Sequence, residues 1–139
     1  MPIRFIDTGI LLRYFTRDDE QKAQQVLNLL LRVERGEEKV TTSSLVIFET
    51  VITLQRFYKV PRPRIKELVT SIISLRGLQL PGKNVYYHAF DLYISKNISF
   101  ADAYNAAYML AEQIPSIYSW DTDFDKIEGI IRVEHEKVL

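Results

Sequence analysis

Apolar residues along this chain alternate between short β-branched runs and longer stretches with helical spacing. The short runs predict strands at residues 3–6, 39–41, 78–80, 117–120 and 130–133. Between them, apolar positions three and four residues apart predict helices at residues 10–15, 18–35, 43–58, 65–76, 85–95 and 99–113. Strands that alternate with helices favour a three-layer α/β/α fold with a central parallel sheet of four to five strands.

Length and composition narrow the possible classes of protein. The chain has 139 residues, about one domain's worth, so we predict a single domain over residues 1–139. Its formal net charge is zero, so nucleic-acid binding would need a local basic patch. The absence of Cys excludes disulfides, thiolate zinc sites and cysteine nucleophiles. No apolar run reaches the ~20 residues of a membrane span, and no signal peptide is visible, so we expect a soluble cytoplasmic protein.

Acidic residues stand where an apolar run ends or a helix begins, at Asp7, Glu49, Asp102 and Asp121. Asp7 and Asp121 directly follow predicted strands, and sites in open parallel sheets form at the carboxyl ends of the strands. Except for Asp7, none of these acids has Lys or Arg three or four residues away, where a helical partner would lie. Carboxylates gathered near apolar surface repel one another unless they bind a cation. The sequence therefore predicts a divalent-metal site.

Each acid also has a purely structural explanation. Asp7 could cap the helix that follows it, and Asp121 could begin a turn. Asp102 lies three residues after Ser99, which is the spacing of a capping box. Glu49 could pair with a basic residue from another helix. Only the joint placement of the acids favours the functional interpretation.

Two other motifs fail on their spacing. The aspartates at positions 121, 123 and 125 begin like a calcium-binding loop, but the sixth and twelfth positions hold Lys and Arg instead of Gly and Glu. Residues 77–84 imitate a phosphate-binding loop, but they end in Asn instead of Ser or Thr and follow a predicted helix. A small NTPase is therefore a weak alternative, which nucleotide binding would reveal.

Segments in a fixed order resemble the PIN-domain nucleases, and most closely the toxin ribonucleases of the virulence-associated protein C type. These segments are residues 5–14, 44–49, 99–103 and 119–124. The resemblance covers essentially the whole chain, and it implies a PIN-like fold. No segment is specific alone, but their order and spacing together are.

The resemblance implies a set of catalytic, metal-binding acids, which are Asp7, Glu49, Asp102 and Asp121. Asp123 would be a further metal ligand, and Ser119 matches a small hydroxyl position that orients the last acid. Because every implied ligand is a carboxylate oxygen, the expected cofactor is Mg²⁺ or Mn²⁺. The implied reaction is the hydrolysis of a phosphodiester.

RNA is the substrate that the resemblance implies. A basic stretch beside Phe57 and Tyr58 could hold phosphates and stack bases, although an ordinary solvated turn explains the same charges. The predicted RNA-binding residues are Arg13, Arg56, Lys59, Arg62 and Arg64. The resemblance also implies a homodimer and a cognate antitoxin protein. The many tyrosines of residues 86–108 fit either an interface or a core.

One departure from the family pattern leaves alternatives open. The family usually has Asn or Ser two residues after the first acid, where this chain has Gly9. A hydrogen bond to Asp7 or to a metal-bound water could therefore be missing. This favours the main alternative, a catalytically silent PIN-fold module that binds RNA or protein. A nuclease for structured DNA is a further alternative, although such relatives carry extra acids and insertions.

Overall fold

The structure is a computed structural model that describes residues 2–134. Met1 and residues 135–139 lie outside the described residues. The chain divides into two compact units, Met1–Lys83 and Asn84–Leu139, which we term the first and second units. The single domain over residues 1–139 stays a prediction.

The first unit builds a parallel sheet from strands separated by helices. Its elements are β1 (Arg4–Phe5), α1 (Thr8–Thr16), α2 (Glu20–Glu34), β2 (Val40–Thr41), α3 (Ser44–Arg56), α4 (Arg62–Ile73) and β3 (Leu78–Gln79). The strand order is β1-β2-β3, with Arg4 opposite Val40 and Val40 opposite Leu78. Beyond the strand ends, the backbone N–H of Ile6 still donates to the carbonyl of Thr41 at 2.8 Å. The sheet therefore holds the chain in place just before Asp7.

Helix α2 was predicted to begin at Asp18, but it begins two residues later, at Glu20. The carboxylate of Asp19 caps it by accepting a hydrogen bond from the backbone N–H of Lys22 at 3.1 Å. The carboxylate of Asp18 instead accepts hydrogen bonds from the hydroxyls of Thr16 at 3.1 Å and of the distant Tyr58 at 3.4 Å. Near the other end, Gly36 has a φ of 76°, which is typical of the residue that follows a helix.

Apolar residues from all four helices of the first unit are buried in its core. The largest fully buried side chains include Leu11, Val33, Ile47, Leu54, Ile65 and Ile73. Gly77, just before β3, brings its backbone close to the turn after α2. A Cβ atom there would collide with the carbonyl oxygen of Glu38 and lie 2.7 Å from that of Val33. Only a residue without a side chain fits this crossing.

In its residues up to 134, the second unit combines two α-helices and a 3₁₀ helix with a pair of parallel strands. Its elements are α5 (Lys83–Ser95), which begins at the last residue of the first unit, α6 (Phe100–Ala111), β4 (Ser116–Tyr118), a 3₁₀ helix (Thr122–Lys126) and β5 (Ile131–Val133). Ser116 pairs with Ile131, and Tyr118 pairs with Val133. The strand predicted at 117–120 is thus found at 116–118, where it pairs with β5, and two residues separate it from Asp121.

Aromatic side chains form the centre of the second unit. The rings of Phe90 and Phe100 have centroids 4.6 Å apart, and Tyr93 meets Phe100 edge-on at 5.7 Å. Tyr93 and Tyr86 are buried, whereas Tyr108 is 47% exposed. Core packing therefore explains two of the tyrosines, which leaves them unavailable for an interface.

The predicted α/β class with parallel strands is confirmed. Among the described residues, three strands belong to one sheet and two to another, and every pair is parallel. Within residues 2–134, six α-helices separate or flank these strands. No helix in residues 2–134 is both long and apolar enough to cross a membrane.

Candidate metal centre

Asp102 is presented by the first turn of α6. Ser99 caps this helix, since its hydroxyl oxygen accepts a hydrogen bond from the backbone N–H of Asp102 at 3.1 Å. A carboxylate in the first turn of a helix is favoured by the partial positive charge of the free N–H groups. The local sequence thus fixes the backbone of Asp102 in the first turn of α6.

Asp121 and Asp123 are held by the turn that opens the 3₁₀ helix. One carboxylate oxygen of Asp121 accepts a hydrogen bond from the backbone N–H of Asp123 at 2.9 Å. The hydroxyl oxygen of Ser119 accepts a hydrogen bond from the backbone N–H of Asp121 at 3.0 Å. Ser119 therefore fixes the backbone of the acid that it was predicted to orient, although its role in activity stays a prediction.

The structure brings three of the predicted acids together, and we call them the Asp triad: Asp102, Asp121 and Asp123. Each offers one carboxylate oxygen, and these oxygens all lie within 4.8 Å of one another. Two oxygens bound to one Mg²⁺ at about 2.0–2.1 Å lie at most about 4.2 Å apart. Small side-chain rotations therefore suffice to bring this all-oxygen set to the spacing that Mg²⁺ or Mn²⁺ requires.

Crowding of like charges raises the pKa of Asp102. Partial burial is the largest cause, followed by the negative charge of Asp121, and Asp123 adds to the effect. A hydrogen bond with Ser99 acts in the opposite direction and lowers the pKa. The carboxylate of Asp102 thus lies in an environment that disfavours its charge, and a cation would relieve this.

We expect the metal-free protein to lose stability relative to Asp102→Asn as the pH rises. The folded state holds the proton of Asp102 more tightly than the unfolded chain, because its pKa lies above the ordinary value of 3.8. This stabilisation is complete below the unfolded pKa and disappears as the pH passes through the raised folded pKa. Urea unfolding of both proteins in EDTA over a pH series measures the difference, and a difference independent of pH would contradict the expectation.

Asp7 caps α1. One of its carboxylate oxygens accepts a hydrogen bond from the backbone N–H of Thr8 at 2.8 Å, and the residue is exposed. The structural explanation of Asp7 is therefore correct, but it uses only one oxygen, and the other forms no hydrogen bond with a described residue. A metal-binding role for Asp7 is compatible with the cap and stays a prediction.

Glu49 lies on the exposed side of α3. Its side chain forms no hydrogen bond or ion pair with any described residue, so the alternative of a basic partner receives no support. Its helical neighbours Leu45 and Ile52 are 72% and 44% exposed. Glu49 therefore projects from a partly apolar, open helix face. Asp7 and Glu49 belong to the first unit, and the Asp triad belongs to the second.

Comparison with known proteins identifies the family. The sequence pattern of the PIN domain matches residues 4–130. The chain belongs to the PIN domain family. No curated protein matches it significantly. PIN domains are generally nucleases that use divalent metal ions, so this PIN domain combines a nuclease fold with an acidic cluster suited to such an ion.

A cation that sequence reasoning missed lies beside the Asp triad of this PIN domain. The ammonium group of Lys126 is 3.0 Å from a carboxylate oxygen of Asp123. The two residues are three apart in the 3₁₀ helix, and this spacing was the available signal. Exposed pairs of this kind contribute little to stability, typically about 0.2–1 kcal/mol. Lys126 therefore offsets part of the negative charge of the Asp triad, while an ion pair this weak leaves the side chain of Asp123 able to rotate.

Gly9 is the departure from the usual PIN pattern, and the space around it is open. A Cβ atom added to Gly9 would meet no atom within 4 Å. The glycine is therefore not required by packing in α1. Its effect is to remove a polar side chain two residues from Asp7.

The predicted RNA-binding residues of this PIN domain differ in availability. Arg13 pairs with a carboxylate at 3.5 Å, and Arg64 forms an ion pair of 2.8 Å within α4. Arg62 also interacts with other groups. The side chains of Arg56 and Lys59 form no hydrogen bond or ion pair with a described residue. Among the five, these two are therefore best placed to meet a phosphate, and RNA binding stays a prediction for all of them.

Proposed function

We propose that this PIN domain is a divalent-metal-dependent endoribonuclease and the toxin of a type II toxin–antitoxin pair. The observation that carries the proposal is the Asp triad, whose carboxylate oxygens lie within 4.8 Å of one another in a chain of a nuclease family. The donor set consists only of oxygen, which favours Mg²⁺ or Mn²⁺.

The proposed reaction is hydrolysis of a phosphodiester by in-line attack of water. Asp102, Asp121 and Asp123 would hold the ion. When bound, the ion polarises the phosphodiester and lowers the pKa of the attacking water. By resemblance, Asp7 and Glu49 serve the same reaction. The exposed carboxylate of Glu49, which forms no hydrogen bond with a described residue, is available to accept a proton from water.

RNA as the substrate rests on the resemblance to toxin ribonucleases. The side chains of Arg56 and Lys59, which form no hydrogen bond or ion pair within residues 2–134, support it, since they flank Phe57 and Tyr58, whose ring centroids are 5.0 Å apart. Cations beside exposed aromatic rings are the combination that binds single-stranded nucleic acid. Cleavage of structured DNA is the alternative that a substrate comparison would test.

The antitoxin, the homodimer and the cytoplasmic location belong to the same proposal. Exposed apolar side chains on α3 support a protein partner, above all Leu45 at 72% and Ile52 at 44% exposure. Burial of such side chains against a partner removes apolar surface from water, which lowers the free energy of the complex.

The test of the proposal is metal-dependent cleavage by the purified protein. We expect a mixed RNA pool to be cut with Mg²⁺ or Mn²⁺, to survive with EDTA, and to be cut again when excess metal is restored. Undiminished cleavage in EDTA would contradict a metal-dependent mechanism. Metal binding by calorimetry without cleavage of the pool, of intact tRNA or of ribosomes would support the catalytically silent module.

A further inference from the structure

A cleft of about 250 Å³ runs along α1 in the first unit. It is lined by Gly9, Leu12, Arg13, Thr16, Asp18 and Tyr58. The α1 residues among these are three or four positions apart and therefore share one face of the helix. The cleft thus extends from the first turn of α1, at Gly9, to its last residue, Thr16, and Tyr58 also lines it.

Asp18 organises the polar end of the cleft. One of its carboxylate oxygens accepts hydrogen bonds from Thr16 at 3.1 Å and from Arg13 at 3.5 Å. Its other oxygen accepts a hydrogen bond from the hydroxyl of Tyr58 at 3.4 Å. Two of these three bonds are long, and long hydrogen bonds are weak. A ligand with better-placed donors can therefore replace them at little cost.

The charges in the cleft cancel. Arg13 and Asp18 contribute one charge of each sign, and their side chains are 42% and 51% exposed. A phosphate would meet the carboxylate as well as the guanidinium, so the cleft is poorly suited to an anion. It offers donors and acceptors side by side, which suits a neutral, flat group such as a nucleobase.

The surroundings of the cleft supply what the rest of a nucleotide needs. Phe57 is 76% exposed, and its ring meets that of Tyr58 edge-on. The neighbouring side chains of Arg56 and Lys59 form no hydrogen bond or ion pair with a described residue. Aromatic faces stack on bases, and free cations hold phosphates. A neutral cleft lined by Tyr58, with cationic residues next to Tyr58 in the chain, therefore suits a base whose phosphates stay outside the cleft.

We propose that this cleft binds one guanine base of a single-stranded RNA, which extends the proposed function by giving it a preferred base. Guanine carries two adjacent N–H donors beside a carbonyl acceptor on its Watson–Crick edge. The carboxylate of Asp18 can accept from both donors, and Arg13 can donate to the carbonyl. The other bases present only one such donor to the carboxylate at a time.

Gly9 keeps the cleft open. It lines the cleft, and an added Cβ atom would meet nothing within 4 Å. A larger residue here would therefore extend into the open space instead of against the protein. The absence of a side chain at Gly9 removes a possible hydrogen bond near Asp7. The same absence leaves more room in the cleft for the proposed base.

Titration with mononucleotides in EDTA tests base binding without cleavage. We would add the 5′-monophosphates of guanosine, adenosine, cytidine and uridine separately and follow the backbone amide signals by NMR. We expect guanosine monophosphate to shift signals of α1 and residues 56–60, and to bind at least fivefold more tightly than the others. Equal binding of all four, no binding of any, or shifts confined to other residues would overturn the proposal.

Matched variants separate base recognition from a general effect of charge. Asp18→Asn keeps the shape of the side chain, and we expect it to weaken guanosine monophosphate binding by roughly 5- to 100-fold. Glu20→Gln removes a nearby carboxylate outside the cleft and should leave this affinity unchanged. Gly9→Val should weaken the binding of all four nucleotides. Unchanged affinity of Asp18→Asn for guanosine monophosphate would overturn the guanine proposal. It would leave the proposed nuclease function untouched, because metal-dependent cleavage is tested separately.

Discussion

We expect Asp102→Asn to abolish RNA cleavage by the purified protein and to leave the chain folded. Asn keeps the size of the side chain but removes the charge that a divalent ion requires. Loss of a residue that merely supports a metal ligand costs about 10- to 100-fold, so loss of the ligand itself should cost at least that. Steady-state cleavage rates at saturating Mn²⁺ measure the effect, and circular dichroism checks the fold.

Asp7→Asn is the corresponding substitution in the first unit, and its cleavage rate is measured in the same way. Asn is as good a helix-capping residue as Asp, because its amide oxygen also accepts a hydrogen bond from the helix N–H groups. The substitution thus keeps the cap on Thr8 while it removes the charge, and we expect cleavage to disappear. Glu128→Gln removes an exposed carboxylate of the second unit outside the triad and should retain full activity. Full activity in both Asp variants would refute the assignment of the acids.

Gly77→Ala should destabilise the protein by at least about 2–3 kcal/mol, which is the upper range for overpacking a core. The added methyl group would collide with the carbonyl oxygen of Glu38 and lie 2.7 Å from that of Val33. Both are backbone atoms, so neither can rotate away, and the crossing before β3 must shift. Equilibrium unfolding in urea measures the loss as a lower midpoint.

Gly9→Ala is the matched control for Gly77→Ala. The same methyl group at Gly9 meets no atom within 4 Å, and Ala is favoured over Gly in helices by about 0.5–1 kcal/mol. We therefore expect Gly9→Ala to leave the unfolding midpoint unchanged or raise it. Similar destabilisation by both substitutions would show that the close approach at Gly77 is not the cause.

The regular elements could be predicted because their signals are local. Ser99 caps α6 and Ser43 caps α3, both at positions where the sequence indicated a helix start. The predicted start of α2 was wrong because the choice between Asp18 and Asp19 as the capping residue depends on contacts with residues outside this helix. Asp18 contacts Tyr58, 40 residues away, and no spacing along the chain reveals this.

The candidate metal centre was predictable in part for the same reason. Asp121 and Asp123 share one turn, and the first turn of a helix is a favoured place for Asp102. That all three meet depends on how the 3₁₀ helix packs against α6, which the resemblance implied and the residue pattern alone did not. The pairing of Lys126 with Asp123 could not be predicted, because a basic residue three positions after an acid is common on protein surfaces.

The cap of α6 has a consequence for how this chain can change over generations. Because Ser99 and not Asp102 caps the helix, α6 does not need the acid that the proposed reaction needs. We therefore expect a single replacement of Asp102 by Asn to remove the crowded charge and to leave a folded protein in which the residues proposed to bind RNA are unchanged. Under the proposed function, one substitution would thus separate a protein that cleaves RNA from one that only binds it.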